Sequence, residues 1–185
     1  ELFKKDDTAI LKHQFFEGQQ IEPMFYVPTL PILLVNGSEG VSSGFAQKIL
    51  PRNPADIKKY IVGKLAGKDP KASLIPFYEG FRGTIEQGEN DSQWLIKGIA
   101  KVTGINKVEI TEVPIGYDLK GYISVLDDLE DKKIIQSYRD KSEDDNFTFE
   151  VTIPSKSLKE WDHEELLNRL KLVKKVTENY TVIDE

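Results

Sequence analysis

The chain has no cysteine, one methionine and two histidines in 185 residues. Without cysteine it can form no disulfide, hold no thiolate zinc and offer no thiol nucleophile, although this says little about redox surroundings. His13 and His163 are far apart and show no paired ligand spacing, which leaves a metal or imidazole centre little to stand on. The acidic run Asp127, Asp128, Glu130 and Asp131 lacks the glycine and alternating oxygen ligands of a calcium loop and reads as a solvated helix face. No apolar run approaches the ~18 residues a membrane span needs, and the amino end shows no basic-then-apolar leader, so a cytoplasmic protein with no membrane partner is expected. The opening at Glu1 and the stop at Asp184-Glu185 suggest a piece excised from a longer polypeptide. Internal repeats and low-complexity tracts are also absent.

What is present is an ordinary globular composition, 39% hydrophobic and 30% charged, enough to bury a core in one large or two small domains. The net charge of -6 is unevenly spread. Residues 1–60 carry seven basic and seven acidic side chains, residues 61–125 eight of each, and residues 126–185 ten basic against sixteen acidic. Between Val41 and Lys64 the charged residues are Lys48, Arg52, Lys58, Lys59 and Lys64 against Asp56 alone, a local excess able to neutralise several phosphates. The acidic carboxy-terminal third is expected to point away from any nucleic acid.

The pattern divides the chain into residues 1–55 and 56–185. The first part is rich in proline and short apolar runs, with Gln20 to Pro28 extended because each residue before proline is pushed toward the β region. Asn53 as N-cap, Pro54 in the first helical position and Asp56 in the first turn start a helix whose apolar positions are Ile57, Tyr60, Ile61 and Leu65, ending at Gly67 to Pro70. Beyond it, Gly83–Gln87, Gln93–Val102 and Lys107–Val113 read as an antiparallel meander. A helix from Asp118 to Lys132 buries Leu119, Tyr122, Ile123, Leu126 and Leu129. Strands at Ile134–Tyr138 and Phe147–Ile153 follow, separated by the charged turn Asp140–Asn146. A helix capped by Asp162 with a buried Leu166, Leu167, Leu170 face and a strand at Asn179–Ile183 complete an α+β chain, with Trp94 and Trp161 expected in its core.

The segment from Pro31 to Phe45, PILLVNGSEGVSSGF, is the most distinctive. Ile32–Val35 reads as a short buried strand feeding the Asn36-Gly37 turn, and Gly37, Gly40 and Gly44 remove side chains where a large ligand would approach the backbone. Ser42 and Ser43 suit phosphate oxygens, Lys48 and Arg52 could grip phosphates, and Val41 has the size of a wedge between base steps. Taken alone, the same residues fit a tight hairpin or helix-entry loop with Val41 in the core and solvated charges around it. A nucleotide loop of the Walker kind would need Gly-Lys-Ser/Thr where Phe45-Ala-Gln stands. A protein-interaction scaffold and a phosphate-ligand enzyme using Ser42, Ser43 and Lys48 are the rival readings.

The run from Pro23 to Ala46, followed by Ile49-Leu-Pro-Arg-Asn-Pro54, resembles the DNA-gate segment of type IIA topoisomerases, the gyrase A and eukaryotic topoisomerase II family. Pro76 to Ile85 and Lys107 to Pro114 are similar to the tower region that follows the gate, and Leu172 to Glu185 resembles the medium, gyrase A-like subunit of T-even-type phage topoisomerases. The resemblance implies an extended DNA-gate segment leading into a tower-like domain of antiparallel strands with packed helices. It also implies double-stranded DNA as partner, contacted by Val41 (an intercalating isoleucine in the family), Asn36, Gly37, Gly40, Ser42, Ser43, Gly44, Lys48 and Arg52. The family's nucleophilic tyrosine lies upstream of this region and Tyr26, Tyr60 and Tyr78 do not match it, so no catalytic residue and no cofactor are expected within these 185 residues. Magnesium and ATP would be bound by the Toprim and ATPase domains of other subunits or domains. The parent, an ATP-dependent type II enzyme, would be a homodimer working in the nucleoid or the phage-infected cytoplasm.

Overall fold

The computed structural model describes residues 2–68, 74–143 and 146–182, with the side chain of Ser42 outside the described set. The chain forms two compact units, Glu1–Phe77 with Asn179–Glu185, and Tyr78–Glu178. The division falls later than the expected boundary between residues 55 and 56, because the helix beginning at Pro54 stays with the first unit and the chain returns to that unit after Glu178.

In the first unit, a 3-10 turn at Lys5–Ala9 precedes a hairpin of β1 (His13–Phe16) and β2 (Gln19–Pro23), closed by Glu17 and Gly18, both at positive φ. The expected strand at Ile32–Val35 is instead a short helix, α1 (Ile32–Asn36), with no fully buried residue. A continuous apolar run carries no periodicity to separate the two states. Gly37 ends the helix at φ 69°, ψ 176°, and a Cβ there would lie 2.6 Å from the Ile49 carbonyl oxygen, so the position requires glycine on both counts. Strands β3 (Ser38–Ser42) and β4 (Phe45–Ile49) then form a second antiparallel hairpin. The helix α2 (Pro54–Leu65) is capped as expected, with the Asn53 side chain accepting from the Ala55 N–H at 2.9 Å. Of its apolar stripe only Ile57 is buried, while Leu65 is exposed. Asp69 and Pro70, expected to stop it, lie outside the described residues.

The second unit holds two antiparallel sheets. One has the order β11 (Val173–Thr177), β6 (Gln93–Lys97), β5 (Thr84–Gln87), and the other β7 (Ile99–Val102), β8 (Lys107–Glu112), β10 (Phe149–Thr152), β9 (Ser137–Asp140). The expected single strand Gln93–Val102 is therefore two, and the meander does not form one sheet. The break is Gly98, where a Cβ would come within 2.3 Å of the Glu112 carbonyl oxygen and the backbone N–H donates to Leu172 O at 2.8 Å. That close approach lets one continuous stretch of chain leave one sheet and enter the other.

The core of this unit joins Val108, Ile110, Phe149, Val151 and Ile153 to Tyr122, Leu126 and Leu129 on α3 (Leu119–Asp131) and to Leu166 and Leu167 on α5 (His163–Arg169). Both helices carry the expected caps: Asp118 accepts from Gly121 N and Asp162 from Glu165 N. Buried Tyr122 donates its hydroxyl to Leu170 O at 2.9 Å, and burial raises its pKa. Trp94 is buried and donates its indole N–H to the buried carboxylate of Glu178 at 2.7 Å. Trp161 is only partly buried, packed against the core with Arg169 over its ring.

Three further expectations shift. The strand read at Ile134–Tyr138 begins three residues later, at Ser137, since Ile134 and Ile135 close the end of α3 through backbone bonds to Leu129 O. A short helix, α4 (Ser155–Glu160), fills a stretch to which no element was assigned from sequence. The final strand is β11 rather than Asn179–Ile183: Asn179 makes only an isolated bridge and Ile183 is outside the described residues.

Candidate nucleic-acid interface

The glycine-rich segment is a β-hairpin whose two-residue connection is Ser43-Gly44, with Gly44 at φ 83°. Pairing runs Ser38↔Ile49, Glu39↔Lys48, Gly40↔Gln47, Val41↔Ala46 and Ser42↔Phe45. Directly paired residues share a face of the ribbon, so Val41 lies with Ala46, Glu39 and Lys48, and Phe45 points to the opposite side. On that face the residue opposite Val41 is an alanine, and the next pair, Glu39 and Lys48, is engaged in an ion pair. Val41 is 87% exposed. A valine tucked into the core, the plain alternative, is not what forms. Leaving it in water forgoes about 1.5–3 kcal/mol of burial free energy. Phe45, beside the turn, is 70% exposed.

The other predicted residues fall along the same hairpin or at its base. Asn36 and Gly37 enter it, Gly40 sits on β3 with open space where a Cβ would be, and Ser43 and Gly44 form its tip. Ser42 is the last residue of β3, its side chain outside the described residues. Lys48 is engaged: its Nζ donates to Glu39 Oε1 at 2.8 Å. Arg52 departs from its expected role. It is buried, with Nε donating to Leu74 O at 2.7 Å and a second guanidinium nitrogen donating to Leu50 O, so it holds the main chain together rather than presenting charge to solvent. Helix α2 contributes exposed Lys58, Lys59 and Lys64.

Residues not singled out from sequence complete the site. Glu39 puts a negative charge on the Val41 face. The carboxy-terminal segment, expected to keep clear of the interface, returns to this hairpin: Lys48 and Asn179 exchange backbone hydrogen bonds at 3.1 and 2.9 Å. A groove of about 780 Å³ runs beside the hairpin, lined among others by Leu33, Gly40, Val41, Phe45, Gln47 and Val182. The run from Ser38 to Ile49 lacks the polar–apolar alternation that would have signalled the strands and hence Glu39, and nothing in the sequence signals Asn179. Neither histidine gathers a metal set, and among the described residues there is no group of three or more metal-ligating side chains. His13 is occupied instead by the carbonyls of Ile21 and Thr8, each at 3.1 Å. Among the described residues, no helix is long and apolar enough to cross a membrane.

The family model for the A-type subunit of DNA gyrase/topoisomerase IV matches residues 1–185, and the chain belongs to that family. It is 34% identical over 187 residues to the mitochondrial DNA topoisomerase 2 of Dictyostelium discoideum, covering 100% of this chain and 14% of that protein. It is 34% identical over 186 residues to the DNA topoisomerase medium subunit of Enterobacteria phage T4, covering 98% of this chain and 41% of the relative. The crystal structure of the Plasmodium falciparum topoisomerase II DNA-binding, cleavage and re-ligation domain matches with a TM-score of 0.81 at 32% identity, over 95% of this chain and 24% of that one. The chain thus spans between 14% and 41% of the length of these proteins.

Proposed function

We propose that this chain is the DNA-binding and DNA-bending part of the breakage-rejoining subunit of an ATP-dependent type II topoisomerase, with Val41 as the wedge. The observation that carries this reading is the 87% exposure of Val41 on a hairpin where it stands directly opposite an alanine. Val41 enters a base step from the minor groove, at an unstacking cost of a few kcal/mol that is offset by phosphate contacts along the bent duplex. Ser43 and the backbone at Gly40 and Gly44 approach phosphate oxygens closely, and Lys48 adds a cation next to them. Asn36 and Gly37 set where the hairpin leaves α1. Readout of base identity is slight, because this surface offers few base-edge hydrogen bonds.

The chemistry is supplied from elsewhere. The tyrosine nucleophile and the domains that hold magnesium and ATP are contributed by other parts of a homodimeric assembly, and this chain positions the scissile phosphates for them by bending the gate. Alone, it neither cleaves nor rejoins DNA.

The test is end-to-end fluorescence transfer in a duplex of about 30 base pairs titrated with the chain and with Val41→Ala. The wild type is expected to bend the duplex, and the variant to lose most of the bending while its affinity falls only modestly. Equal bending by both proteins removes Val41 from this role.

A further inference from the structure

Among the described residues, Asn179 hydrogen-bonds the outer edge of the hairpin that carries Val41. Ala46 and Lys48 lie two apart on β4, so their backbone N–H and C=O groups point the same way. Those of Lys48 face outward, where its N–H donates to Asn179 O at 3.1 Å and its O accepts from Asn179 N at 2.9 Å. The Ala46 carbonyl faces the same side, and the Asn179 side chain fills that place, its Nδ2 donating to Ala46 O at 2.6 Å. Its Oδ1 accepts from Thr181 Oγ1 at 3.0 Å, which fixes the amide orientation. Asn179 therefore acts as a short third strand, its backbone on Lys48 and its side chain on Ala46.

Ala46 is the residue directly opposite Val41. Val41 is 87% exposed, so among the described residues its direction follows mainly from the backbone of the hairpin. A two-stranded ribbon is marginally stable and free to twist, whereas a side chain driven into stacked bases has to meet a load of a few kcal/mol. A hydrogen bond to the carbonyl across from the wedge resists that twist where it matters.

We propose that Asn179 is a positioning residue for Val41: it holds the outer edge of β4 and so keeps the hairpin at the angle that lets Val41 enter the duplex. The inference rests on the reading of Val41 as the wedge. It makes no demand on Asn179 to touch DNA.

The test compares wild type, Val41→Ala, Asn179→Leu and Asn179→Asp in the same 30-base-pair transfer titration, reading bending amplitude and Kd separately. Both Asn179 variants lose the Nδ2 donor but differ in charge, so what they share reports the lost bond. Both are expected to lose most of the bending, with Kd for Asn179→Leu rising less than about threefold and Kd for Asn179→Asp rising more through phosphate repulsion. Asn179 is exposed, and unchanged circular dichroism and thermal midpoint are expected for both; if the leucine variant unfolds, the aspartate variant carries the test. Wild-type bending by Asn179→Leu while Val41→Ala fails to bend overturns the role of Asn179 and leaves the wedge intact. Wild-type bending by Val41→Ala overturns the wedge itself, and absence of duplex binding by the wild type at low salt removes both.

Discussion

Glu39 and Lys48 face each other across β3 and β4 and close a 2.8 Å ion pair on the face that carries Val41. Both are substantially exposed, so the pair contributes little to stability and its partner can be exchanged. A phosphate oxygen that reaches Lys48 competes with the Glu39 carboxylate. Glu39→Gln is expected to raise duplex affinity at low salt by a few fold and to lose that advantage as salt is increased, measured by fluorescence anisotropy across a salt series. Lys48→Ala is expected to weaken binding about equally for all sequences and to lower the slope of log K against log salt by about one. An unchanged slope takes Lys48 out of the set of phosphate contacts.

Gly37 and Gly40 lie three residues apart and are expected to respond in opposite ways. Gly37→Ala must adopt a backbone conformation open almost only to glycine and also meets the Ile49 carbonyl oxygen at 2.6 Å and the Pro51 nitrogen at 2.9 Å. Its cost should be about 1–3 kcal/mol or more in a denaturant titration. Gly40→Ala enters open space and should stay within about 0.5 kcal/mol of wild type. Any large DNA-binding defect in that stable variant then reports close backbone approach by the ligand.

In the second unit, Glu150 accepts hydrogen bonds from Lys141 and Lys107 at 2.9 and 3.1 Å, and these hold its carboxyl at a pKa of about 2. A carboxylate lowered in the folded state stabilises above its unfolded pKa and loses that contribution as pH falls through the folded value. The stability difference between wild type and Glu150→Gln should therefore be constant above about pH 5 and shrink between about pH 4.5 and 2, as read from urea midpoints. A difference that grows with acidification would contradict the pairing.

Trp94→Phe keeps most of the buried ring but withdraws the indole donor from a carboxylate that is 3% exposed. A loss of about 1.5–3 kcal/mol is expected. Adding Glu178→Gln to that variant should recover part of it, since the neutral amide is less costly to bury.

Much of the second unit was legible from its sequence. Asp118 and Asp162 cap the helices expected to begin beside them, and Phe149, Val151 and Ile153, alternate residues of the strand expected at Phe147–Ile153, all lie in the core. These signals are local, written within a few residues of where they act. The misreadings share a different cause. Ile32–Val35 has no periodicity to distinguish a strand from a helix, and Gln93–Val102 looks continuous because the carbonyl that forbids a side chain at Gly98 belongs to Glu112, far along the chain. Arg52 reads as surface charge until the carbonyls of Leu50 and Leu74 are seen to surround it. At the interface, the residues alone left open a tight hairpin with Val41 in the core, and only the structure puts Val41 in solvent, while the contribution of Asn179 comes from 133 residues away from Ala46 and left no trace in either segment.

Because the first unit contains both Glu1–Phe77 and Asn179–Glu185, the whole of Tyr78–Glu178 is an insertion within it. During synthesis from the amino end, the hairpin emerges long before the residue that closes its edge. The inserted unit, whose strands and helices are contiguous in sequence, can reach its final packing first and bring the missing segment back with it. A nascent chain that has not yet reached Asn179 would thus expose a hairpin whose outer edge is still open at Ala46 and Lys48.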